Sequence, residues 1–113
     1  MLTPREIAEE AVKALNAKQA KVVTLLRTSD VTVLADYFVI CTATSSTHVK
    51  TLTDEVDKVL SEQGEPPLRR EGYRGGGWIL LDFGCVIVHI FQQEMREFYN
   101  LEHLWSEAEE VPL

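Results

Sequence analysis

A chain of 113 residues, 45% of them hydrophobic, is long enough for one domain around one core, and none of its apolar stretches approaches the ~18 residues of a membrane span. Eighteen acidic against eleven basic residues leave a net charge of −7, a balance that repels nucleic acid and makes a basic protein the expected macromolecular partner. The N-terminus MLTPREIAEE lacks the basic start and apolar run of a secretory signal, and Cys41 and Cys85 have neither disulfide nor zinc spacing, so the expected setting is cytoplasmic and the cysteines read as small buried residues.

Capping chemistry announces the first helix. Thr3 is the N-cap, Pro4 suits the first helical position, Glu6 closes a capping box and Leu2 staples onto Ile7. Ile7, Ala8, Ala11, Val12 and Leu15 then recur on one stripe that ends near Lys18. KVVTLL follows as a β-branched strand. After a polar stretch, a second strand YFVICTA runs into a helix whose Val49, Leu52, Val56, Val59 and Leu60 share a face. Ser45 or Ser46 caps this helix and Gly64 terminates it. Glu65, Pro66 and Pro67 form the one clear breaker, too short for a domain linker, so 1–113 reads as a single domain. Three more strands are expected: around LRREGY, from Trp78 to Phe83, and from Cys85 to Phe91. The tail EMREFYNLEHLW reads as short helical turns that bring Phe98, Tyr99, Leu101, Leu104 and Trp105 onto the body. The order α-β-β-α-β-β-β-α predicts an α/β fold with a mixed five-stranded sheet, in which a strand-helix-strand succession makes a right-handed crossover and the last two strands a hairpin.

A two-residue turn at Gly84-Cys85 fixes the register of that hairpin: Phe83 with Val86, Asp82 with Ile87, Leu81 with Val88, Leu80 with His89, Ile79 with Ile90 and Trp78 with Phe91. Ile79, Leu81, Phe83, Val86, Val88 and Ile90 form one apolar face for the two amphipathic helices to cover. Trp78, Leu80, Asp82, Ile87, His89 and Phe91 form the other, nearly as apolar, with only the short tail left to cover it. Such a face marks a protein interface unless the tail buries it, and in free protein it predicts a weak homodimer.

Candidate chemistry along the chain is sparse. Asp82 and His89 lie diagonally across the hairpin, within reach of a hydrogen bond but without a nucleophile nearby in sequence. His48 lacks an acidic or histidine partner at i+4 and His103 has Glu107 alone, too few ligands for a metal site, so none is expected. Arg74 and Gly75 to Gly77 precede a strand instead of a helix, with no Gly-Lys-Ser/Thr following, and read as a bend or as room for a partner's backbone beside Trp78. CTATSSTH, 41–48, brings hydroxyls and free N–H groups to a helix start, where anions can bind. Nucleotidyltransferases couple a related turn to carboxylates at i and i+2 of a neighbouring strand, which hold two metal ions. The residues two away from Asp82 are Leu80 and Gly84, so capping is the better reading of Ser45 and Ser46. An enzyme using Ser45 with Asp36 and Asp82 as metal ligands is the alternative.

ADYFVICTATSSTHV (35–49), GGGWILLDFGCVIVHIF (75–91) and MREFYNLEHLW (95–105) together resemble the ribosomal silencing factor, or Iojap-like, family, in the same order and over nearly the whole chain. The resemblance implies a small α/β domain like the nucleotidyltransferase fold without its catalytic carboxylates, with no enzymatic activity and no cofactor. It implies binding to the large ribosomal subunit at ribosomal protein number fourteen, which blocks joining of the small subunit when nutrients are scarce. Carried over residue by residue, the partner-binding surface centres on Trp78, Leu80 and Asp82, with Tyr73, Arg74, Gly76 and His89 beside them and Met95 near the following helix. The chain departs from the family pattern at Arg27, where an acidic residue is expected, and at Gly84-Cys85, where the turn is commonly Gly-Asp.

Overall fold

The computed structural model describes residues 2–73 and 77–113, with Tyr73 described in its backbone only. Helix α1 (Pro4–Ala17) begins with the capping box the sequence predicts: Thr3 Oγ1 accepts from the Glu6 N–H at 3.1 Å and Glu6 Oε1 accepts from the Thr3 N–H at 2.9 Å. Strands β1 (Lys21–Arg27) and β2 (Tyr37–Ala43) pair antiparallel, and helix α2 (Ser46–Glu62) follows. Ser45 is its N-cap, with the side chain accepting from the His48 N–H, and Gly64 stands just beyond its end at φ 81. Strands β3 (Arg69–Tyr73), β4 (Trp78–Asp82) and β5 (Val86–Gln92) come next, then helices α3 (Gln93–Tyr99) and α4 (Leu101–Leu104).

Among the described residues the sheet has six strands, not five, in the order β3-β4-β5-β2-β1-β6. The added strand β6 (Glu109–Val111) lies antiparallel on the edge of β1, with Val111 opposite Leu25 and Glu109 opposite Arg27. Two acids and one valine carry no strand pattern. Backbone pairing and the burial of Val111 in the main core hold this segment. β2 and β5 run parallel and the other pairings are antiparallel, so the sheet is mixed as expected. The crossover leaves β2 through α2, makes β3 and β4, and returns in β5.

Helices α1 and α2 cover one face, burying Leu15, Val39, Leu52, Val56, Leu60, Leu81, Val88 and Ile90 in one core. A smaller cluster lies on the opposite face, where Leu26, Phe38, Ile40 and Phe91 are buried and Trp78, Met95, Tyr99, Leu101 and Trp105 pack around them. The tail therefore covers more of this face than the sequence alone indicates. Of its five apolar residues, Phe98 and Leu104 instead point to solvent, at 79% and 69% exposure. Cys41 is buried and Cys85 only partly so, because Cys85 sits in the hairpin turn.

Candidate functional site

The β4-β5 hairpin adopts the expected register throughout, from Trp78 opposite Phe91 to Asp82 opposite Ile87, and the Phe83 N–H donates to the Val86 carbonyl at 2.9 Å. Within the turn the Cys85 N–H also donates to the Phe83 carbonyl across Gly84, whose φ of 84° belongs to the left-handed region. A three-residue turn of that hand is strained for any residue with a Cβ, which explains the glycine.

Trp78 sits half-buried on the second face. Its indole stacks on Phe91, with ring centroids 4.9 Å apart, and meets Tyr99 of α3 at 4.7 Å. Its Nε1–H donates to Nδ1 of His89 at 3.3 Å. That bond leaves the proton of the neutral imidazole on Nε2, which is buried with no acceptor among the described residues. Phe38, Phe91 and Trp78 surround the ring, and burial pushes the His89 pKa down to about 4. His89 is neutral at pH 7 and lies beneath the face rather than on it. The side chain expected in the partner surface is 5% exposed and holds the Trp78 indole through that bond.

The diagonal hydrogen bond between Asp82 and His89 does not form. Asp82 turns to its own strand neighbours instead: Oδ1 accepts from the Gly84 N–H at 2.7 Å, which fixes the hairpin turn, and Oδ2 accepts from Arg69 at 3.0 Å. The carboxylate expected to await a partner's base is already occupied within the chain. Leu80 is half-buried between Trp78 and Asp82 on the same face. Met95 packs at the edge of the cluster beneath Trp78. Arg74 and Gly76 lie outside the described residues, as does the side chain of Tyr73. Gly77 is buried, and its carbonyl accepts from the Gln92 N–H at 2.8 Å.

The structure does not bring together the residues of the enzymatic alternative. Asp36 precedes β2 beside the Gly84 turn, where its N–H donates to the Cys85 carbonyl at 2.7 Å, whereas Ser45 lies beyond the other end of β2. Seven strand residues separate those ends by roughly 20 Å or more. Ser45 is spent on capping α2. His48 next to it accepts from the Thr44 N–H at 2.9 Å through Nδ1 and reaches the Lys18 carbonyl at 2.8 Å through Nε2, tying the start of α2 to the end of α1. Among the described residues, no three His, Cys, Asp or Glu side chains are grouped as a metal site. An open groove of about 610 Å³ lies at the carboxyl ends of β2 and β5, bounded by Lys21, Thr44, Gln92 and the first turn of α3.

Two participants escape sequence reasoning. Tyr99 is expected only to dock the tail, yet it forms one wall of the Trp78 setting. Arg96 is the sole base of the last twenty-one residues and is buried, with Glu102 held at 2.6 Å. Its isolation among six acids was the available signal.

Residues 2–113 match the family described as "Ribosomal silencing factor during starvation". The chain is 38% identical over 112 residues to "Ribosomal silencing factor RsfS" of Halalkalibacterium halodurans, covering 99% of this chain and 96% of that one. It is 35% identical over 74 residues to the mouse "Mitochondrial assembly of ribosomal large subunit protein 1", a match that spans 63% of this chain and 32% of the mouse protein. Its fold is similar to the crystal structure of a Chromobacterium violaceum protein, with a TM-score of 0.89 and 33% identity over 93% of this chain and 88% of the other.

Proposed function

The chain belongs to the ribosomal silencing factor family, and from that membership we propose that it binds the large ribosomal subunit in the cytoplasm and blocks joining of the small subunit when nutrients are limiting. The surface used is the Trp78 face, and the partner is the basic ribosomal protein number fourteen. No catalysis and no cofactor enter this reading. The observation that carries it is Trp78 itself: a half-buried indole with Leu80 beside it, on a sheet face that the short tail covers only in part. Large aromatics that lose their remaining water at the centre of an interface commonly dominate binding energy. Leu80, Met95, Tyr73, Arg74 and Gly76 complete the surface. His89 acts through the indole and Asp82 through the hairpin turn.

Purified chain mixed with separated ribosomal subunits tests this by sedimentation. It should travel with large subunits and not with small ones, and joined ribosomes should form more slowly in its presence. Co-migration with small subunits alone, or joining at an unchanged rate, would overturn the reading.

In the absence of subunits, the same face pairs two copies weakly, because water is a poor neighbour for it. Sedimentation equilibrium should show self-association in the natural chain and a monomer for Trp78→Glu. Equal self-association of both would remove the dimer from this account.

A further inference from the structure

Arg96 ties the helix that braces Trp78 to α4 and to two strands of the sheet, β1 and β2. Its guanidinium has five N–H donors. Nε and Nη2 grip the Glu102 carboxylate of α4 at 3.4 and 2.6 Å. Nη2 also donates to Thr24 Oγ1 of β1 at 3.1 Å, and Nη1 donates to Thr42 Oγ1 of β2 at 2.9 Å and to the Val22 carbonyl of β1. All five are used, and the side chain is buried.

The strand it meets is shaped to receive it. In β1, Lys21 pairs with Thr42 and Thr24 with Ile40, so Val22 and Val23 together stand opposite Cys41 in a β-bulge. Val22 takes a φ of 46°, costly for a β-branched residue, and its side chain is 70% exposed. A bulge that turns an apolar side chain outward and a carbonyl toward Arg96 persists only where its surroundings hold it.

Helices α3 and α4 need such an anchor. They are seven and four residues long, α3 has no side-chain N-cap, and Asn100 joins them at φ 44°. Segments this short do not hold a helix by propensity. Tyr99, three residues after Arg96, meets the Trp78 indole, and Met95, one residue before it, packs against the same cluster. We propose that Arg96 is a positioning residue, which locks α3 and α4 onto the β1 bulge and β2 so that Tyr99 holds the Trp78 indole in its binding pose. Its relevance to partner affinity rests on the function proposed above; its control of the tail does not.

Arg96→Lys is the discriminating variant, since an ammonium keeps the charge but has three donors and no planar fork for Glu102. Hydrogen exchange should become at least tenfold faster across 94–104 while β2 and β5 exchange as in the natural chain. In a Trp105→Phe background, where emission comes from Trp78 alone, the spectrum should shift to longer wavelength. Affinity for purified large subunits should fall at least tenfold. If Arg96→Lys does not fold, Glu102→Gln keeps the guanidinium and cuts its charged link to α4, with the same local effects expected. Unchanged exchange in the tail, acceleration spread evenly over the sheet, or a loosened tail with undiminished affinity would each overturn the proposal. Should the natural chain itself bind no large subunits, the functional reading falls, and exchange and Trp78 emission alone decide the role of Arg96.

Discussion

His89 bears a cost that the Trp78 face imposes. Its ring accepts the indole N–H and leaves its own Nε2–H buried without an acceptor among the described residues. Burial lowers its pKa from 6.5 to about 4. Between these values the unfolded chain binds a proton that the folded chain refuses, so stability contributed here is full above about pH 6.5 and is lost as pH falls toward 4, by up to roughly 3 kcal/mol. His89→Gln keeps an acceptor for the indole but does not titrate. Melting temperatures measured from pH 4 to pH 7 should fall less steeply with acid for His89→Gln than for the natural chain; parallel curves would mean that His89 is not the titrating group. Leu81 and Trp78 differ in a related way. Leu81 is wholly buried in the main core, so Leu81→Ala should cost roughly 3 kcal/mol, whereas half-buried Trp78 should cost roughly 2 when cut to alanine. Thermal unfolding of the pair checks the order, and an earlier melt for Trp78→Ala would place the indole in the core.

At the scale of elements, α1 and the β4-β5 hairpin were legible because their determinants are local. Thr3, Pro4 and Glu6 specify a helix start within four residues, and a Gly84 turn with period-two alternation fixes a register. Thr3→Ala removes one partner of the capping box and should lower stability by about 1 kcal/mol, read as a shifted denaturant midpoint with unchanged slope. What stayed illegible depends on distant partners. β6 is a strand because β1 offers an open edge, which Glu109, Glu110 and Val111 do not reveal. The bulge at Val22 has no sequence mark, since its carbonyl is turned toward an arginine seventy-four residues away. The tail was read as helical turns, but which of its apolar residues point inward is set by packing against a distant sheet face, so Phe98 and Leu104 were misplaced. For the candidate site, register alone puts Trp78 and Leu80 on one face of the hairpin, as the structure has them. The intrachain partners of Asp82 and His89 were not legible, because Arg69 and the Trp78 indole reach them through tertiary geometry.

Across the whole molecule, charge and coverage are divided unevenly. Helices α1 and α2 seal one face of the sheet, while the opposite face has only a short tail whose six acids are set against one arginine, itself neutralised by Glu102. A partly covered apolar face on a chain of net charge −7 suits a basic protein surface. The central claim is that this face, through Trp78, binds the large ribosomal subunit. Its most direct test is the dissociation constant for purified large subunits of the natural chain and of Trp78→Ala, both held well below the melting temperature of the variant. The account predicts that folded Trp78→Ala binds at least about thirtyfold more weakly, the ratio for a loss of roughly 2 kcal/mol. Equal dissociation constants for two folded chains would contradict it.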